Sequence, residues 1–82
     1  MNTVEFRFDD TPHYALYELI HLDGVEQYYL ELRDRSLITE FGLELRFRLS
    51  PDGRLSPGDA GDQRKKDLLE TILVSIQQKT KT

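Results

Sequence analysis

The sequence predicts an α+β domain, a four-stranded antiparallel meander followed by one C-terminal helix packed on one face (ββββα). Three observations carry this expectation: alternating apolar residues over 37–49, an Asp-Gly pair inside a second apolar run, and an amphipathic stripe near the C-terminus. The turns that connect these segments put the same side chains on the same face, and a slip of one residue at any turn would invert a strand.

Residues 3–8 set Val4, Phe6 and Phe8 against Glu5 and Arg7, the period-two signature of a half-buried strand. The following Asp9-Asp10-Thr11-Pro12 is rich in turn formers. Read as a four-residue loop, it brings Phe8 opposite His13, Phe6 opposite Ala15 and Val4 opposite Tyr17. Strands are then expected over 13–22 and 25–33, joined by Asp23-Gly24, a pair suited to the type I′ turn with its two positive φ angles. That turn pairs Leu22 with Val25, Leu19 with Tyr28, Tyr17 with Leu30 and Ala15 with Leu32. A further turn around Arg33-Asp34-Arg35-Ser36 sets Leu32 opposite Leu37, Leu30 opposite Thr39 and Tyr28 opposite Phe41.

The fourth strand is the run LITEFGLELRFRL, residues 37–49, with Leu37, Phe41, Leu43, Leu45, Phe47 and Leu49 at odd positions. Gly42 interrupts it and suggests a bulge or bend. Residues 50–61, rich in Pro, Gly and Asp, read as a loop, and Asp59 or Asp62 is the expected cap of a helix over about 62–78. In that helix Leu69, Ile72, Leu73 and Ile76 form one stripe with Leu68 at its margin, and residues 79–82 read as a frayed tail. The expected core is Val4, Phe6, Phe8, Tyr17, Leu19, Tyr28, Leu30, Leu32, Phe41, Leu43, Leu45, Phe47, Leu69, Ile72 and Ile76.

Totals narrow the function classes. The 82 residues suffice for one domain, and 38% hydrophobic with 32% charged residues is a globular composition. A net charge of −4 has the wrong sign for general attraction to nucleic acid. There is no cysteine, hence no disulfide, thiol chemistry or Cys-based zinc site. The start MNTVEFRFDD lacks a basic stretch followed by an apolar run, and no apolar run reaches the roughly 20 residues of a membrane span, so a cytoplasmic location is expected.

Motifs for catalysis are sparse. His13 and His21, eight positions apart on one strand, stand about 27 Å from each other and cannot share a metal. His21 is expected across from Glu26, where a satisfied polar pair outweighs an acid–base pair. Ser36, Ser50, Ser56 and Ser75 have no His-Asp partners at recognisable spacings, and Asp52, Asp59 and Asp62 lack the alternation of a calcium loop. No catalytic residue, metal, cofactor or small-molecule substrate is expected.

The surface is more informative. On the face away from the helix, Ile20, Leu22 and Val25 gather at the Asp-Gly end beside Gly42, and no second helix is predicted to cover them. In the expected register Leu45, Phe47 and Leu49 overhang the third strand, an unpaired amphipathic edge. Patch and overhang (Ile20, Leu22, Val25, Gly42, Leu45, Phe47, Leu49) together predict a homodimer or a bound protein partner. The alternative is a single-stranded nucleic-acid binder using Arg7, Tyr14, Tyr29, Arg33, Arg46 and Arg48, since a dimerising ββββα unit is similar in plan to Whirly-like and Pur-type domains. None of the motifs of those families is present. Glu5, Glu18, Glu31, Glu40 and Glu44 outnumber the four arginines of that face, which weighs against phosphate binding.

Overall fold

The structure, a computed structural model, describes residues 2–49 and 62–80. The expected loop over 50–61 lies outside the described residues. A four-stranded antiparallel sheet in the order β1-β2-β3-β4 is built from β1 (Asn2–Phe8), β2 (Thr11–Leu22), β3 (Val25–Leu32) and β4 (Glu44–Arg48). The C-terminal helix α2 (Gln63–Thr80) packs on one face, and a short helix α1 (Arg35–Phe41) stands between β3 and β4. The α+β meander with its C-terminal helix is therefore the observed fold, with one added element.

The β1–β2 turn is tighter than expected. Asp9 (φ 53°) and Asp10 (φ 59°) both sit in the left-handed region, so they alone make the turn, and Thr11 and Pro12 belong to β2. Aspartate tolerates that region better than most side chains. Phe8 consequently pairs with Thr11, Phe6 with His13 and Val4 with Ala15, a register displaced from the expected one but of the same facing. The Asp23-Gly24 turn (φ 53° and 78°) and all four expected β2–β3 pairs are observed.

Residues 35–41 are helical rather than the first half of a long strand. The Asp34 carboxylate accepts from the Ser36 amide at 2.9 Å and the Ser36 hydroxyl at 2.7 Å, a local cap that opens α1. Leu37 is buried, while Ile38 and Phe41 pack against the core, and this spacing fits a helical turn as well as period two fits a strand. Gly42, at φ 98°, ends the helix and donates its N–H to the Ile38 carbonyl at 2.8 Å. It is a helix terminus, not a strand bulge.

The fourth strand is accordingly short, and its pairing is displaced. Leu45 stands opposite Leu30 and Phe47 opposite Tyr28, where Thr39 and Phe41 were expected. Leu45–Leu49 do not overhang: they are the strand that pairs with β3, and Leu49 donates its amide to the Glu26 carbonyl.

Asp62 caps α2, accepting from the Lys65 amide at 2.8 Å. The helix runs antiparallel to β1, with Arg64 near Asp9 at one end and Lys79 bonded to the Thr3 carbonyl at the other. It extends through Thr80, so Lys79 and Thr80 are helical rather than frayed. Beneath it, Val4, Phe6, Phe8, Ala15, Tyr17, Leu30, Leu32, Leu37, Leu45, Phe47, Leu68, Leu69, Ile72, Leu73 and Ile76 form one buried cluster. Burial of a side chain such as Phe47, 1% exposed, stabilises the fold by about 2–3 kcal/mol. Leu19 and Leu43, expected in the core, are instead exposed, and Leu68 is fully buried rather than marginal.

Candidate functional site

Strand lengths create the feature of most interest. β2 has 12 residues against 7 in β1, and β1 begins opposite Tyr17. Residues 18–22 of β2 therefore extend past the described part of β1, paired only with β3 on their other side. The β2–β3 hairpin projects past the described part of β1 as a ribbon ending at Asp23-Gly24, with β4 still flanking β3 as far as Gln27 and Leu49 bonding Glu26.

This ribbon is apolar on both faces. On the open face stand Ile20, half-buried, with Leu22 and Val25, exposed by 53% and 38%. On the helix face Leu19 is 42% exposed, because α2 ends at the level of Thr3 and Tyr17 and does not reach it. Tyr28 closes the core just inside, its ring 6.1 Å from Tyr17 and 5.5 Å from Phe47. Partial burial raises the Tyr28 hydroxyl above its ordinary pKa of 10.0, aided by neighbouring Tyr17 and Glu26.

Backbone polarity follows from the register. In an antiparallel ladder, residues alternate between bonding one neighbour and the other. The two-residue turns close on Phe8–Thr11 and Leu22–Val25, so odd-numbered residues of β2 bond towards β1 and even-numbered ones towards β3. Leu19 and His21 thus turn their N–H and C=O groups into the lane that the described part of β1 does not occupy.

The opposite end of the sheet is densely bonded. Arg64 reaches both Asp9 (Nη1 to Oδ1, 3.2 Å) and Glu40 (Nη2 to Oε1, 3.0 Å), and its guanidinium lies 5.0 Å from the Phe8 ring centre and 5.9 Å from that of Phe41. The hydrogen bond from Arg64 holds the Asp9 carboxyl below its ordinary pKa. Glu40 and Asp9 together push the Arg64 guanidinium further up. Nearby, the His13 side chain, 5% exposed, places Nδ1 at 2.7 Å from Asp34 Oδ2. A carboxylate only accepts, so Nδ1 carries the proton. Ser36 and then His13 hold the Asp34 carboxyl below its ordinary value.

Ser36, Asp34 and His13 are thus brought together although their spacing gave no sign of it. Their order is unsuited to a nucleophile: Ser36 and His13 both donate to the one carboxylate, and the histidine does not accept the serine proton. The cluster caps a helix and satisfies a buried imidazole. His21 and Glu26 are cross-strand partners, but both side chains are exposed and no hydrogen bond joins them. Among the described residues no group of three or more His, Asp or Glu is arranged to hold a metal, and no helix is long and apolar enough to cross a membrane.

The sequence-expected interface separates. Ile20, Leu22 and Val25 gather at the tip as expected, joined by Leu19. Leu45 and Phe47 are core residues, 4% and 1% exposed, and Leu49 is half-buried against the same core. Gly42 lies at the far end of the sheet, before the Glu44–Glu31 pair. The overhang does exist, but it belongs to β2. The clue available in sequence was Asp9-Asp10, which as a two-residue turn sets Asn2 opposite Tyr17.

The residues considered for nucleic acid share the open face but are largely engaged there. Arg7 donates to the Asp10 carbonyl at 3.1 Å and Arg33 to Glu31 at 2.9 Å. Arg46 lies 5.8 Å from the centre of the Tyr29 ring, whose hydroxyl is raised in pKa chiefly by the neighbouring Glu44 carboxylate. Arg48 stands opposite Gln27, and Tyr14 is 51% exposed beside Glu5. Because Glu40 sits on α1 with Arg64, the open face carries Glu5, Glu18, Glu31 and Glu44 against Arg7, Arg33, Arg46 and Arg48, a neutral balance rather than a negative one. A neutral face of paired charges still lacks the excess cation that follows phosphates.

Comparison with protein-family models, curated proteins and solved structures finds no match to this chain.

Proposed function

We propose that this chain is a small, non-catalytic interaction module that self-associates or binds a protein through the projecting β2–β3 tip. A single observation carries the reading: Leu19, Ile20, Leu22 and Val25 stand on both faces of a ribbon that neither β1 nor α2 covers. Isolated exposed apolar residues are ordinary on protein surfaces. Here several are contiguous, and the strand edge beside them offers main-chain donors and acceptors, the combination used in binding by strand addition.

The test is the effect of Leu22→Glu on mass and folding together. Light scattering from micromolar to millimolar concentration should show the native chain forming larger species, and Leu22→Glu reducing them to single chains of unchanged melting temperature. A native mass of one chain across that range excludes self-association. A variant that unfolds would place Leu22 in the core and remove the surface on which the proposal rests.

A further inference from the structure

We infer that the outer edge of β1 is a docking surface distinct from the tip, and that it takes an extended segment of a protein partner with a lysine or arginine at its centre. β1 ends the sheet, and among the described residues no strand pairs with its outer side. The Asp9-Asp10 turn closes on Phe8–Thr11, so even-numbered residues of β1 bond β2 and odd-numbered ones turn their N–H and C=O groups outward. Two contacts agree with this. Pro12, opposite Arg7, has no N–H to give it, and Lys79 bonds the outward carbonyl of Thr3. Glu5 and Arg7 keep outward N–H and C=O groups that no described group bonds.

The helix turns this edge into a groove. Of the four strands, β1 lies closest to α2, and the helix row Asp67, Thr71, Ser75 and Lys79, spaced by four, follows its edge. Thr71 and Ser75 are small, and their hydroxyls donate to the Asp67 and Thr71 carbonyls of their own helix, so they leave room without needing a partner. A strand added antiparallel in this lane exchanges bonds with Glu5 and Arg7 through two of its residues. The residue between those two stands opposite Phe6 and turns its side chain to the helix side.

Charge selects the occupant. The groove wall beyond Phe6 carries Asp67 and Glu70, both exposed, and among the described residues neither is paired with a cation. Arg7 lines the same stretch, but its guanidinium donates to the Asp10 carbonyl at 3.1 Å. A lysine or arginine opposite Phe6 meets both carboxylates, and Val74, 49% exposed on the rim, gives its methylene stem an apolar rest. At the other end Lys79 closes the groove, which favours a small neutral residue opposite Val4. The net charge of −4 draws the same partner at longer range.

The probe is the peptide Val-Thr-Lys-Thr-Val, acetylated and amidated, titrated into the full chain at low salt and followed by amide NMR. The Glu5 and Arg7 amides should shift and exchange more slowly, while those of Val4 and Phe6, already bonded to β2, change little. Methylating both threonine nitrogens of the peptide removes the donors to β1 and should weaken binding at least about tenfold. Methylating the lysine nitrogen, whose N–H points away from β1, should leave it within about twofold. Glutamate in place of the peptide lysine should weaken binding about fivefold, and so should Asp67→Lys in the protein. Equal binding by the threonine-methylated peptide overturns strand addition, and equal binding by the glutamate peptide overturns the charge selection. No binding at millimolar peptide removes the surface. The peptide comparisons need no protein variant, so they decide the matter even if Asp67→Lys folds poorly. Leu22→Glu should leave peptide binding unchanged; its loss in that variant, still folded, moves the occupant to the tip and overturns the inference.

Discussion

The two ends of the sheet are built from similar materials and come out differently. Both have a two-residue turn opened by aspartate with positive φ, but Phe8 and Phe41 lie beside the first, whereas the nearest ring pair to the second, Tyr17 and Tyr28, stands several residues inside it. At the Asp9-Asp10 end, a cation from α2 bridges the turn to α1, and Asp34 ties a buried histidine to a helix cap. At the Asp23-Gly24 end no described helix arrives, and leucine, isoleucine and valine stand where the other end has ion pairs. The difference lies in reach. One end finishes under its helices, and the other is carried past them by five more residues of β2.

Breaking the clamped end, or the core behind it, should cost far more than altering the tip. Phe47→Ala, which empties a fully buried site, should destabilise by about 3–5 kcal/mol in a urea titration. For Gly42→Ala the added methyl meets open space, but φ 98° with ψ 162° is a conformation nearly confined to glycine, so a loss of about 1–3 kcal/mol is expected from backbone strain alone. Ile38→Val, a smaller trim of half-buried α1 packing, should cost about 1 kcal/mol and mark the lower bound of the clamped end.

Acid should act on the same end. Asp9 and Asp34 both have folded pKa values below the ordinary 3.8, so each contributes stability that is present above 3.8 and lost as pH falls from there through the lower folded value. Melting temperature is expected to fall as pH drops from about 5 to below 3.8, with Asp34→Asn flattening part of the decline. Smallest of all should be Leu22→Ala, within about 0.5 kcal/mol of the native protein, since its side chain is mostly in water. The alternative use of the open face predicts a salt-dependent gel shift with single-stranded oligonucleotides that Arg33→Glu abolishes. The paired charges predict no shift at physiological salt.

Much of this was legible in the sequence, in unequal parts. Asp23-Gly24 has one good reading, and the whole β2–β3 register with the patch of Ile20, Leu22 and Val25 followed from it. Facing survived even where register did not, because Phe6 and Phe47 keep their side of the sheet under a displaced pairing. The helix over 35–41 was hidden because Leu37, Ile38 and Phe41 fit two periodicities, and two helical turns are too few to separate them. Asp34 before Ser36 and Gly42 after Phe41 were the available start and stop signals. The His13–Asp34 and Arg64–Asp9 contacts join residues 21 and 55 positions apart, and no local pattern announces such pairs.

The central claim is that the β2 edge at Leu19 and His21, which the described residues leave open, becomes covered on association. Amide hydrogen exchange across a concentration series measures this directly. At low concentration the Leu19 and His21 amides should exchange freely while those of Ala15 and Tyr17, paired with β1, stay protected; at high concentration all should be slow. Protection of Leu19 and His21 that is already complete in dilute solution, and unchanged by concentration, would mean the chain covers its own tip and would contradict the account.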